Sequence, residues 1–216
     1  MATSAAVMST AQIREAERAT MESTPEPELM DHAAAAVAAE ARGTTEARTR
    51  LMGRARIVIL AGTGNNGGDA LLAGALLCDD GADCVAVLMG PTAHERGLKQ
   101  FTAAGGRVIH AARALDEALT LVREADSVID GIVGLGARAG LRAPADQIVA
   151  AIASEAAVIA VDIPSGLEAD SSEAKLPHVH AGVTVTFTAL KRCLAATPAK
   201  ASAGLVVLAD VGVELD

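Results

Sequence analysis

The chain opens with two stretches in helical period and changes rhythm near residue 55. "STAQIREAERATMES" carries a capping signal, Ser9 or Thr10 ahead of Ile13, and its period continues through Ala16 and Ala19. "PEPELMDHAAAAVAAEAR" predicts a second helix, its start marked by Pro27 and acidic residues. Beyond it, short apolar runs alternate with helical stretches. The runs predict strands at 56–61, 83–89, 107–110, 126–132, 157–163, 183–188 and 205–211, with helices at 69–80, 92–104, 114–124 and 143–154. That alternation implies right-handed crossovers and an α/β fold whose mostly parallel sheet is covered on both faces. No convincing helix separates the last two runs, which predicts an irregular sheet end. Residues 1–8 precede the pattern and are expected to be disordered, with Met8 a candidate natural start. The sequence has no repeat, low-complexity linker or composition break, so a single domain over 1–216 is expected.

Composition narrows the picture. Half of the 216 residues are hydrophobic, yet Trp and Tyr are absent and Phe occurs twice, so the core must come from Ala, Val, Leu and Ile. A net charge of -9, only four Lys and no basic run argue against a nucleic-acid surface. Cys78, Cys84 and Cys193 lack C-x-x-C spacing and read as reduced, mostly buried thiols. The N-terminus lacks the basic and apolar regions of a signal peptide, and no apolar run reaches bilayer length. A soluble, cytoplasmic protein with no membrane partner is expected.

Ligands of such sheets bind at the carboxyl ends of the strands. Three loops predicted there are chemically unusual: "GTGNNGGD" after the first strand, "DGIVGLGARAG" at the fourth and "DIPSGLEAD" at the fifth. The first matches G-x-G-x-x-G, but two physical checks fail for a redox dinucleotide site. The second strand ends Leu88-Met89-Gly90-Pro91 without the acid that would hold a ribose, and Asp69 would set negative charge where a pyrophosphate belongs. Asp69 as a helix N-cap, and Asn65 and Asn66 as turn residues, are the structural alternatives. Asp130 and Ser165 likewise have ordinary readings as caps of local turns. Taken together, Asn66, Asp130 and Ser165 offer an amide oxygen, one carboxylate and a hydroxyl at adjacent strand ends. Hard oxygen donors with a single negative charge suit a monovalent cation better than a divalent one. Asp162 should emerge from a rigid, partly buried strand end and is a candidate acid or base. Lys191 after the sixth strand reads more readily as a solvated loop lysine. The five His show no metal spacing beyond His178 and His180, which read as loop.

"GTGNNGGDALLAG", "VIDGIVGLG", "AVIAVDIPSGLEAD" and "VTVTFTALKRCL", in this order and spacing, resemble the YjeF N-terminal domain family, the NAD(P)H-hydrate epimerases. The likeness extends from the opening helices to "GLVVLADVGV". It implies a three-layer α/β/α, Rossmann-like fold, usually a homodimer. The implied substrates are 6-hydroxylated NADH and NADPH (NADHX and NADPHX), whose R and S epimers are interconverted so that a separate dehydratase can restore both. Carried over by position, Asn65, Asn66, Gly67, Gly68, Asp69, Gly134, Leu135, Gly136, Ala137, Arg138, Ala139, Gly140 and Asp162 would contact substrate. Asn66, Asp130 and Ser165 would hold K+, and Asp162 is the candidate acid/base, with Lys191 assisting. Ala70, Val133, Leu135, Glu168 and Leu190 depart from the usual family residues. The implied chain is a free-standing epimerase or one half of a fused enzyme. A non-catalytic nucleotide-binding or scaffold module on the same fold is the alternative, and an NAD-dependent oxidoreductase is disfavoured by the missing ribose acid.

Overall fold

The structure, a computed structural model, describes residues 6–50, 52–136 and 138–215. Two helices, α1 (Thr10–Thr20) and α2 (Glu26–Thr49), lead into alternating strands and helices. These run β1 (Arg56–Ala61), α3 (Asn65–Asp79), β2 (Asp83–Leu88), α4 (Glu95–Ala103), β3 (Arg107–His110), α5 (Leu115–Glu124), β4 (Ser127–Gly131), α6 (Ala145–Ala150) and β5 (Ala157–Val161). The chain closes with β6 (Val183–Phe187), the one-turn helix α7 (Arg192–Ala195) and β7 (Leu205–Ala209). The seven strands form one sheet in the order β3-β2-β1-β4-β5-β6-β7, and every pairing is parallel.

Period-two burial builds the layers. Ile57 and Ile59 of β1 point into a core shared with α2, α3 and Phe101 of α4. Val58 and Leu60 of the same strand face Ala118 and Val122 of α5 and Ile148 of α6. The result is an α/β/α sandwich with α2, α3 and α4 on one face and α5 and α6 on the other. The strand order reverses between β1 and β4, which makes the crevice above their carboxyl ends the topological switch point. Between β6 and β7 only α7 and the 3-10 turn Ala199–Ser202 intervene, the irregular end anticipated from the pattern.

The N-terminus differs from expectation where it is described. Residues 1–5 lie outside the described chain, but residues 6–8 are ordered: Val7 bridges Leu190, and Met8 N–H donates to the Leu190 carbonyl at 2.9 Å. Ser9 then caps α1 in a reciprocal capping box with Gln12. Asp170, from the loop after β5, accepts from Thr10 N–H at 2.8 Å and from its hydroxyl, which fixes α1 over that loop. Cys84 and Cys193 are buried, Cys78 is half-buried, and all three are free thiols. Among the described residues no helix is long and apolar enough to cross a membrane.

Candidate functional site

The helix after β1 begins four residues earlier than the pattern predicts. It starts at Asn65 with Gly64 as N-cap and no side-chain cap bond, so Asn65 and Asn66 form its first turn and are not loop residues. Asp69 lies one turn further along and is therefore not the cap either. A close approach of backbones explains the glycine loop. A methyl at Gly67 would sit 2.1 Å from the Gly62 carbonyl oxygen, and one at Gly62 would sit 1.9 Å from that of Ile132. The G-x-G-x-x-G spacing thus packs α3 against β1 and β4. Positions 65, 66 and 69 share one helix face, which turns polar groups toward a cavity above the switch point.

That cavity has a volume of about 320 Å³, and Asn65, Asn66, Asp69, Leu135 and Asp162 line it together. Other expected contacts stand elsewhere. Gly67 and Gly68 are buried in helix packing, Gly68 against the His94 ring and Met30. Gly134 sits on the Asn66 amide, where a methyl would lie 2.3 Å from Oδ1. Gly136 faces the Arg14 guanidinium, and Gly140 N–H donates to the Gly166 carbonyl at 2.8 Å. Arg138 is exposed and Ala139 half-buried, neither on the cavity wall; Ala137 lies outside the described residues. A larger groove of about 730 Å³ opens at the opposite end of β5 and β6.

Asp162 follows the last residue of β5 with φ 69°, a left-handed value uncommon for a non-glycine residue. Its N–H donates to the Val185 carbonyl at 2.7 Å, and the Ile163 N–H closes back on the Val161 carbonyl at 2.9 Å. This tight turn aims the carboxylate inward. Lys191 is its partner and is no solvated lysine, being 1 % exposed. Lys191 Nζ donates to Asp162 Oδ1, to Thr186 Oγ1 at 2.9 Å and to the Phe187 carbonyl at 2.9 Å, using all three of its protons. Thr186 also donates to Oδ1 at 3.2 Å, so every described partner of the carboxylate falls on that oxygen. Full satisfaction of the ammonium is what permits this buried charge pair.

Asp130, Ser165 and Asn66 meet one strand away. Asp130 is fully buried in β4; its Oδ2 accepts from Ser165 N–H at 2.8 Å and its Oδ1 from Ile132 N–H at 3.3 Å. Burial pushes its pKa up to about 6, against the pull of those hydrogen bonds. Ser165 Oγ exchanges hydrogen bonds with the Val133 backbone, accepting at 3.1 Å and donating at 3.2 Å. Asn66 Nδ2 donates to the Val161 carbonyl at 2.8 Å, which leaves Oδ1 toward the Val133–Gly134 turn. Five oxygen-bearing groups of four kinds thus gather with one negative charge, and among the described residues no side-chain cation is bonded to Asp130. That donor set fits a weakly charged hard cation.

The remaining wall was missed in the sequence. Glu17 and Arg14 of α1 and Glu26 of α2 line the cavity, with Met21, Leu29, Met30, Phe187 and Val211 as its apolar side. Burial, then the nearby Asp162 carboxylate, raises the Glu17 pKa, and Asn65 Nδ2 donates to Glu26 at 2.7 Å. A signal for Glu17 existed: it falls at i+4 in the stripe Ile13–Glu17–Thr20, whose two flanking members are buried. The ionisable part of the lining is therefore predominantly acidic, four carboxyl groups against Arg14.

The family model described as YjeF-related protein N-terminus matches residues 26–193. The chain belongs to that family. A bifunctional NAD(P)H-hydrate repair enzyme from Mycobacterium tuberculosis is 40% identical over 205 residues, covering 94% of this chain and 41% of the relative. The NAD(P)H-hydrate epimerase of Clavibacter sepedonicus is 42% identical over 170 residues, covering 74% of this chain and 73% of that protein. The chain spans about two fifths of the length of the bifunctional relatives it matches. In fold, the crystal structure of yeast YNL200c superposes with a TM-score of 0.74 at 23% identity, covering 88% of this chain and 83% of the other.

Proposed function

We propose that this YjeF-family chain interconverts the R and S epimers of hydrated NADH and NADPH at C6 of the nicotinamide ring. The observation that carries the reading is one cavity at the switch point into which Asn65, Asn66, Asp69 and Asp162 all turn. The likeness to proteins named NAD(P)H-hydrate epimerase supplies the substrate class. A carbinolamine carbon epimerises when its hydroxyl leaves and returns, or when the ring opens and closes. Both routes need proton transfer and stabilisation of transient charge. In this reading Asp162 contacts the ring end of the substrate as base, and Lys191 holds it in place with Thr186. Glu17, Glu26 and Asp162 around the cavity disfavour a phosphate inside it, so the diphosphate would lie at the mouth, toward Arg14 and the 134–140 loop.

Asn66, Asp130 and Ser165, with the Val133 and Val161 carbonyls, would hold a potassium ion. When bound, it would supply a fixed positive charge beside Asp130 and stiffen the loops after β4 and β5. The likeness also carries the remaining expectations of a homodimer, a cytoplasmic location and a separate dehydratase acting on the product. The test is a coupled assay of mixed epimers with a dehydratase specific for the S form. Rapid consumption of both epimers is expected; R epimer persisting at its spontaneous rate sinks the reading.

A further inference from the structure

Asp69 differs from the other acids of the site. Asp130 is met by backbone amides and Asp162 by a lysine, whereas Asp69 Oδ1 is buried without any hydrogen-bond partner among the described residues. The residue is 6 % exposed and lines the cavity, one helical turn from Asn65 and Asn66. A bare buried oxygen costs several times more when it carries charge than when it does not. The groups that face it sharpen the point. Asp162 beyond β5, Glu17 on α1 and Glu26 on α2 all repel a charge there, and Arg96 on α4 attracts one. Arg96 is already committed to Asp31 and to the Pro27 carbonyl, and Lys191 to Asp162. Burial first, then these carboxylates, hold the Asp69 pKa well above the usual carboxylate range. An uncharged carboxyl has one O–H to give, and the described residues offer no acceptor to Oδ1.

We propose that Asp69 is a catalytic acid, donating its proton to the 6-hydroxyl of the bound hydrate. This deepens the epimerase reading and rests on it. The N1 lone pair forms the N1=C6 bond as the C6–O bond breaks; the departing oxygen takes the Asp69 proton and leaves as water. Asp69 becomes a carboxylate and the ring an iminium cation. A water molecule then adds to the other face of C6, the N1=C6 electron pair returns to N1, and Asp162, the base of this reading, takes the surplus proton; release of that proton to solvent and uptake of one by Asp69 reset the site. The acidic lining favours this route over ring opening, because only hydroxyl departure builds positive charge on the ring within reach of Glu17, Glu26 and Asp162.

The test uses the full chain: Asp69→Asn in the coupled epimer assay, and the wild type with one separated epimer in ¹⁸O-water, without the dehydratase that would remove the labelled hydroxyl. Asn keeps the size and the lack of charge, so folding and hydrate binding should persist while turnover falls by roughly 100- to 10,000-fold. The wild type should place one solvent ¹⁸O in the hydrate at each inversion, because return on the opposite face draws on a solvent molecule. Turnover of Asp69→Asn within a few-fold of wild type overturns the proposal, as does wild-type inversion without label. If Asp69→Asn does not fold, the wild-type label alone decides the route. Failure of the epimerase reading looks different: the wild type itself would then leave the R epimer at its spontaneous rate.

Discussion

Two aspartates end neighbouring parallel strands, and the protein treats them in opposite ways. Asp130 in β4 and Asp162 just past β5 are both buried. Asp162 has its counter-charge built in, since Lys191 reaches back from 29 residues later and Thr186 joins it on one oxygen. Asp130 has two backbone N–H groups and, among the described residues, no side-chain cation bonded to it. Backbone amides satisfy hydrogen bonding but neutralise little charge, which is why burial still dominates at Asp130 and pushes its pKa up to about 6. The contrast teaches where an external cation would be useful. A carboxylate paired internally is a fixed part of the wall, whereas one without a partner is a ligand in waiting.

Breaking the internal pair should have the largest effect. Lys191→Met leaves the Asp162 carboxylate buried and unpaired, a loss of roughly 3–5 kcal/mol. For a chain of this size that is about 10 °C of melting temperature. Asp162→Asn should cost a similar amount by stranding Lys191, so the shape-preserving substitution is less innocent than its chemistry suggests. The double variant removes both charges and should recover most of the loss, the signature of direct coupling. Thermal denaturation by circular dichroism checks all three; additive single-variant losses would show that the two groups do not sense each other.

Turnover sharpens the same comparison. If Asp162 moves a proton, Asp162→Asn placed in the Lys191→Met background should remain folded yet lose roughly 100- to 10,000-fold in epimerisation rate. The Lys191→Met parent, which keeps the carboxyl, is the control. Equal rates in the two backgrounds would make Asp162 a positioning residue and put the proton traffic on Asp69.

What the sequence made legible follows from what each element must bury. All seven strands lie within two residues of the apolar runs, because parallel strands covered on both faces read as continuous hydrophobic stretches. The start of α3 was misread because Asn65-Asn66-Gly67-Gly68 has the local chemistry of a turn. Gly67 is there because α3 presses on the backbone at Gly62, and Gly68 because His94 and Met30 pack on it, long-range demands that no local rule contains. Lys191 failed for the same reason: a buried lysine is improbable until its partner is known, and Asp162 is 29 positions away. Asn66, Asp130 and Ser165 could be grouped because strand ends of one parallel sheet necessarily converge. Glu17 and Glu26 escaped, since nothing local says that the first two helices close over those ends. Among the described residues of the 134–140 loop, Leu135 is the one on the cavity wall.

The smallest effect, and the most specific to Asp130, lies in the response to pH and salt. Below about pH 3.8, the usual value for Asp, folded and unfolded chains both hold this proton. Between there and about 6 the unfolded chain has released it while the folded chain keeps it, so rising pH favours unfolding. Above about 6 the loss is complete, at roughly 3 kcal/mol from this one group. In choline chloride, which offers no small cation, the part of the melting-temperature decline between pH 5 and 7.5 that belongs to Asp130 should vanish in Asp130→Asn. Asp69 and Glu17, also raised, contribute in the same direction, and this subtraction leaves their share untouched. Potassium should then restore stability at pH 7.5, by about 2.7 kcal/mol at a hundredfold excess over its dissociation constant. At pH 5 it should do much less, because it must first displace the proton. A potassium effect equal at both pH values, or one that survives Asp130→Asn, would mean that the ion is held by something other than this carboxylate.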